Sequence, residues 1–268
     1  MRKIKFKEYN QKRKSAKIDL LQIRDELNLV TGGGSKNRDP EKQDLLYNLA
    51  KRKKKRMLEK VGERKYRFKK EGEDYMKTEK LKNKIKKILS SNKDDIFKKI
   101  SIMAVITKAL EDLQVKPVIV GGQAVEFYTS GGYTTMDIDM LCEISIPKID
   151  SKLQPLGFKK EGKYWTLENN DIAIEVPAGP LAGSWNKITE VEVDEGLTAY
   201  LIGIEDIIID RLNRYKYWNV RSDKEWIIGM CFINYEDINW EYLSKRAKKE
   251  GTQDELKKFK KIVEKKRK

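Results

Sequence analysis

The stretch GGQAVEFYTSGGYTTMDID, residues 121–139, follows the apolar run Val118-Ile119-Val120, opens on a glycine pair and closes on two aspartates. A β-branched apolar run reads as a strand, and the glycine pair directly after it reads as a tight strand-to-helix turn. Side chains alternate faces along a strand, so Asp137 and Asp139 point one way while Ile138 and Met140 point to the apolar side. Two adjacent carboxylates repel each other. Either a cation neutralises them or one takes up a proton, and paired oxygen ligands on a rigid strand suit magnesium. The glycine turn allows backbone to approach a phosphate at a helix N-terminus. Glu175 lies in IAIEV, bracketed by apolar residues where a lone charge is costly, and offers a third carboxylate for the same metal cluster.

Composition narrows the chemistry. The 268 residues are 39% hydrophobic and include no histidine, which supports a core and excludes Ser-His-Asp triads, HExxH zinc sites and histidine general bases. Chemistry must therefore use carboxylates, lysine, hydroxyls or an oxygen-held metal. Cys142 and Cys231 lie in apolar segments without CxxC spacing and read as packed thiols. No apolar run approaches the roughly 18 residues of a membrane span and no basic-then-apolar signal opens the sequence, so it reads as cytoplasmic, with no membrane partner. The net charge of +16 is uneven: the first hundred residues and the last twenty-eight are strongly basic, whereas residues 101–240 are acidic in balance. Basic ends imply a polyanion partner, and the acidic centre implies cations.

Around the opening stretch the pattern continues as an α+β domain. A strand covers TTMDIDMLCE, a helix surrounds IPKIDSKLQPLGF, and KYWTLE and DIAIEVP form a hairpin. A second pair, ITEVEVD and LTAYLIG, is joined by Glu195-Gly196, and three helices follow. Ser222 with Glu225 and Thr252 with Glu255 have capping-box spacing at two helix starts. Trp218 and Trp226 read as core residues.

Towards the N-terminus, residues 16–29 carry helical apolar spacing that TGGGS breaks, and a second helix starts at Asp39-Pro40. One side of that helix holds Leu45, Leu46 and Leu49; the other is Lys51, Arg52, Lys53, Lys54, Lys55 and Arg56. In RKYRFK, Tyr66 and Phe68 alternate with Arg67 and Lys69, a strand pattern, before EGEDYM resumes a helix. This order resembles a small winged helix-turn-helix domain over roughly the first 80 residues, which implies nucleic-acid binding (DNA or RNA) through Lys51–Arg56, Arg64 and Arg67. Residues 77–112 read as lysine-rich helix interrupted at SSN.

The glycine pair at 121 and 122, DID at 137–139 and the later acidic strand at Glu175 resemble the polymerase-beta-type nucleotidyltransferase superfamily, and within it the minimal nucleotidyltransferases and abortive-infection toxins. The resemblance implies a mixed-sheet nucleotidyltransferase fold with C-terminal helices, and transfer of a nucleoside monophosphate from a nucleoside triphosphate to a hydroxyl, assisted by Mg2+. By the same resemblance Asp137, Asp139 and Glu175 are the metal-binding and catalytic residues, while Gly121, Gly122, Gln123, Thr135 and Arg211 bind the nucleotide. The toxins show RxTxDhD; Thr135 fits, whereas Tyr133 stands in the arginine's place. Arg211, at a basic position of the toxins' helix, supplies the missing charge, with Arg214, Lys216 and Arg221 behind it, and Asp223 corresponds to their late acidic residue. The implied partners are an RNA or tRNA acceptor and an antitoxin-like protein. The domain order is then 1–80 basic winged-helix-like, 81–102 helical connector, 103–245 nucleotidyltransferase-like, and 246–268 basic helical tail. The alternative is a DNA-binding regulator with a non-catalytic domain of this fold; the intact acids favour the enzyme, Tyr133 the regulator.

Overall fold

Strands and helices alternate through most of the chain in the computed structural model, which describes residues 1–6, 8, 65–168 and 170–267. In chain order these are β1 (Arg2–Lys5), α1 (Lys65–Leu89), α2 (Asp95–Leu110), β2 (Val118–Ile119), α3 (Gly121–Tyr128), β3 (Asp137–Leu141) and α4 (Ile146–Leu156). Then come β4 (Phe158–Glu161), β5 (Tyr164–Leu167), β6 (Ala173–Glu175), β7 (Thr189–Asp194) and β8 (Leu197–Leu201). Four helices close the chain: α5 (Ile204–Tyr217), α6 (Asp223–Ile233), α7 (Trp240–Lys249) and α8 (Gln253–Lys266). The strands form one mixed sheet in the order β1-β7-β8-β2-β3-β6-β5-β4, an α+β architecture.

The central pairings place the aspartates. β2 runs antiparallel to β3, and β6 lies parallel to β3 with Asp137 opposite Ala173 and Asp139 opposite Glu175. A parallel neighbour requires a crossover, and here α4 with β4 and β5 provides it. Ile138, Met140 and Ile174 are wholly buried, as the alternation requires. α2 brings Ile100, Ile102, Val105 and Ile106 into the same core. Asp94 caps α2 by accepting from the Phe97 N–H at 2.9 Å. Cys142 and Cys231 are buried free thiols, and burial pushes them up to about 11 and about 12 respectively. Among the described residues no helix is long and apolar enough to cross a membrane.

Several sequence expectations change. From Lys65 the residues expected as a wing strand are the first turns of the 25-residue helix α1. Two aromatics alternating over three positions are too few to outweigh a long lysine- and glutamate-rich helix former whose later turns bury Ile85 and Ile88. The remainder of the winged-helix reading, including Lys51–Arg56 and Arg64, lies outside the described residues. β1, a strand that the sequence reading did not include, is a sheet edge pairing parallel with β7 from Arg2–Thr189 to Lys5–Glu192. The helix expected through Phe158 stops at Leu156: Gly157, at φ 106°, ends α4 and turns the chain into the additional strand β4. Four terminal helices replace three: α6 ends with its C-cap at Asn234, and Asn239, accepting from the Tyr242 N–H at 2.9 Å, caps the additional helix α7 before the expected start at Thr252. Ser222 and Thr252 do stand at N-caps, but neither side chain makes the capping bond. The basic tail packs by Leu256, Phe259 and Val263, and Trp218, just past α5, is exposed rather than core.

Phe6 is 3% exposed and packs edge-on to Phe97 with ring centroids 4.9 Å apart. Phe6→Ala should therefore destabilise the sheet by about 3 kcal/mol, read as a lower urea midpoint; an unchanged midpoint would mean that the N-terminal strand lies outside the cooperative unit.

Candidate active site

A strand ending in glycine can turn directly into a helix because glycine tolerates left-handed backbone. Gly121 does so at φ 60° as the first residue of α3. A Cβ there would lie 1.9 Å from Asp139 Oδ2, so the carboxylate occupies the space that any other residue would need. The turn is pinned by the Val120 N–H donating to the Asp139 carbonyl at 2.9 Å. At Gly122 a Cβ would stand 3.0 Å from Thr135 Oγ1 and 3.3 Å from the Tyr133 ring, so Thr135 and Tyr133 wall the turn. Tyr133 in turn packs edge-on to Trp226 at 5.1 Å, and the arginine's position is filled by an aromatic contact.

The register of β3 and β6 brings Asp137, Asp139 and Glu175 together, with a carboxylate oxygen of each within 4.8 Å of the others. Burial, then the Asp137 charge and that of Glu175, hold the Asp139 carboxyl above its usual range, against the Gly122 N–H and the Arg211 charge, which lower it. Thr135 Oγ1 donates to Asp137 Oδ1 at 2.9 Å. The exposed Lys163 ammonium donates to Glu175 at 2.9 Å, and this contact, followed by Tyr164, pushes the lysine up to about 12. An oxygen-only donor set of three carboxylates fits a hard divalent ion such as Mg2+.

Of the expected nucleotide-binding residues, Gly121, Gly122 and Thr135 surround the acids. Gln123 and Arg211 stand behind them. Gln123 is wholly buried, with no hydrogen-bond partner for its amide among the described residues. Arg211 is 3% exposed; its Nε lies 3.4 Å from Asp210 and a terminal nitrogen 3.9 Å from Asp223. Asp223 also meets Arg214 Nε at 3.0 Å, so these charges join α5 to α6, and burial is the chief cause that holds Asp223 above its ordinary value. Lys216 reaches Glu255, and Arg221 lies over the Tyr215 ring; both serve helix contacts.

Two residues escaped the sequence reading. Lys99 of α2 is 6% exposed and meets Glu126 of α3, itself 3% exposed, at 3.0 Å. The same ammonium donates to the Thr135 carbonyl at 2.5 Å. One buried lysine thus ties two helices to the segment whose hydroxyl orients Asp137. Burial raises the Glu126 carboxyl, and the lysine opposes this. The available signal was a lysine three residues after Ile96, on the apolar face of a helix.

Two outcomes follow from these contacts. A carboxyl held above its unfolded value adds stability below the ordinary aspartate range, and that stability is lost as pH rises through the folded value. Without divalent ions, Asp139→Asn should therefore raise Tm at neutral pH, with the difference shrinking in acid; a lowered neutral Tm would contradict the repulsion. Lys99→Met alone should cost about 3–5 kcal/mol by leaving Glu126 buried and unpaired, whereas Lys99→Met with Glu126→Leu should recover most of that. The recovered double variant should still bind Mn2+ about tenfold more weakly by calorimetry, because Thr135 is no longer held.

A profile of nucleotidyltransferases of unknown function (DUF6036) matches residues 94–267. Among solved structures, the chain is similar to an antigenic nucleotidyltransferase-like protein from Paracoccidioides brasiliensis, at 19% identity and a TM-score of 0.39 over 51% of this chain and 75% of that one. A comparison with curated proteins finds no match. The profile covers every element from α2 to α8, including the glycine turn and all three carboxylates, and the chain belongs to the DUF6036 nucleotidyltransferases of unknown function.

Proposed function

We propose that the protein transfers a nucleoside monophosphate from a nucleoside triphosphate to a hydroxyl of a nucleic-acid acceptor, with Mg2+ as cofactor. The observation that carries this reading is the convergence of Asp137, Asp139 and Glu175 beside a glycine turn at a helix start. Asp137, Asp139 and Glu175 would hold the ion. When bound, it neutralises the carboxylates and draws negative charge from the triphosphate oxygens. The first turn of α3 offers the triphosphate a positive helix end, and the absent side chains at Gly121 and Gly122 let it approach. Glu175, oriented by Lys163, accepts the proton of the acceptor hydroxyl. The acceptor oxygen then bonds to the α-phosphorus, the bond to the pyrophosphate oxygen breaks, and pyrophosphate leaves. Arg211 acts on Asp139 through its field from behind.

An RNA or tRNA acceptor, nucleic-acid binding through the basic N-terminal residues, and action as a toxin with an antitoxin-like partner are supported by the sequence resemblance. Tyr133, packed on Trp226 where a cation is expected, favours a second reading, a regulator that binds nucleotide without turnover.

The test is transfer of label from each of the four α-labelled triphosphates to total RNA. Asp137→Asn with Asp139→Asn should lower transfer by more than about 100-fold, since loss of even an outer-shell partner costs 10–100-fold, while the circular dichroism spectrum is unchanged. Full transfer by the double variant would refute the site; triphosphate binding without transfer by the native protein would favour the regulator.

A further inference from the structure

The three carboxylates do not end the polar face of the sheet. Residues directly opposite each other across a β-ladder share a face, and the register runs from Asp139 of β3 to Glu175 of β6, then to Tyr164 of β5 and Glu161 of β4. Asp137, Ala173, Thr166 and Lys159 form the row beside it. Ala173, Tyr164 and Thr166 lie on strands inside the sheet yet are only half-buried. The opposite face is closed: Trp165 is 1% exposed and its indole N–H donates to Asp150 of α4 at 2.9 Å. The surface next to Glu175 is therefore an open ledge that carries an aromatic ring.

Lys163 joins that ring to the acids. It sits in the turn Gly162-Lys163 between β4 and β5, and its ammonium donates to Glu175 at 2.9 Å and lies 4.9 Å from the centroid of the Tyr164 ring. An ammonium carries three donors, so it can hold Glu175 and still take a phosphate oxygen. Glu161, exposed across from Tyr164, closes the far side of the ledge with a negative charge.

The reaction geometry gives the ledge an occupant. In phosphoryl transfer the attacking and leaving oxygens lie roughly in line on opposite sides of the phosphorus. The glycine turn, assigned above to the triphosphate, lies on the Asp139 side of the acids, with Gly121 against that carboxylate. The acceptor must then come from the Glu175 side, and Tyr164 is the next residue there. Neighbouring strands lie about 4.8 Å apart, so the ring stands one strand beyond the proposed base, within the span of a nucleoside whose hydroxyl meets Glu175.

We infer that Tyr164 and Lys163 seat the terminal nucleoside of a single-stranded nucleic-acid acceptor, with its base against the Tyr164 ring, the phosphate that precedes it on Lys163, and its terminal hydroxyl at Glu175. The inference rests on the transferase reading of the three acids. Single-strand sites pair aromatic platforms with cations, and a ring takes any base because every base has a π-face. Glu161 repels a phosphate beyond the ring, so the ledge holds one nucleoside and the strand leaves it on the Lys163 side.

The experiment uses the full chain, Mg2+ and a single-stranded RNA of about six nucleotides, fluorescent at one end and carrying a free terminal hydroxyl at the other, followed by anisotropy. Tyr164→Ile keeps a strand-forming side chain and should weaken binding about tenfold, within the range for loss of one stacked base, with Tm unchanged. Tyr164→Thr, a second ring-free strand former, should match it, and Tyr164→Phe should bind as the native chain does. An RNA whose terminal hydroxyl is replaced by phosphate should not distinguish Tyr164→Ile from the native chain. In the transfer assay, Tyr164→Ile should raise KM for the RNA about tenfold and leave KM for the triphosphate unchanged. Equal affinity of the native and ring-free chains, or equal effects on the two RNA ends, would overturn the ledge and leave the transferase reading intact. Binding that depends on both Tyr164 and the hydroxyl, without transfer from any of the four triphosphates, would strike the transferase reading and leave the nucleoside seat. Label entering protein rather than RNA would overturn the seat in favour of a protein hydroxyl.

Discussion

Parallel pairing of β3 with β6 sets Asp139 directly across from Glu175, with Asp137 two residues away on the same face. Three like charges at that separation are unfavourable, and the surroundings meet them only in part. The Gly122 amide, the Thr135 hydroxyl and the Lys163 ammonium each contribute to a different carboxylate, yet Asp139 remains above its ordinary range. Burial first, and then repulsion from Asp137 and Glu175, hold it there, and a carboxylate perturbed in this way is a mark of functional sites. The rest of the local fold is arranged around the same oxygen atoms: Gly121 lacks a Cβ where Asp139 lies, and the turn that results starts α3 beside the acids.

Behind the carboxylates lie two buried ionic groups that hold the helices. Lys99 with Glu126 joins α2 to α3 and reaches the Thr135 carbonyl; Arg211 and Arg214 with Asp223 join α5 to α6. Buried pairs contribute little net stability compared with well-packed apolar residues, because desolvation offsets the attraction. Their value here is directional. A hydrogen-bonded ammonium fixes the height of the segment before β3, and hence the Asp137 side chain, more sharply than apolar packing does. Arg211 illustrates a second use of charge: almost wholly buried, it lowers the Asp139 carboxyl through its field.

Charge on the outer surface divides along α1. Lysines face both of its sides, so composition alone marks the helix as a polyanion surface. Topology gives the two sides different neighbours: one groove is walled by β4 and the end of α4, with Lys159 and Lys160 facing Lys82 and Lys86, while the other holds Lys80, Lys84 and Lys87 beside Asp194.

The amino-acid sequence alone determined what depends on short-range periodicity and residue chemistry. The glycine turn, the alternation of Asp137 and Asp139 with buried Ile138 and Met140, the acid at Glu175, the β7–β8 hairpin and the exclusion of histidine chemistry all follow from neighbours within a few positions. The wing strand failed for the same reason, since Tyr66 and Phe68 alternate over too short a stretch to compete with α1. Only tertiary structure decided the parallel register that brings Glu175 against Asp139, the addition of β1 at the sheet edge, the depth of Gln123 and Arg211, and the path of Lys99 to Thr135. Each of these joins residues distant in sequence, where pairing is selected by packing and desolvation across the whole core rather than by any local preference of the chain.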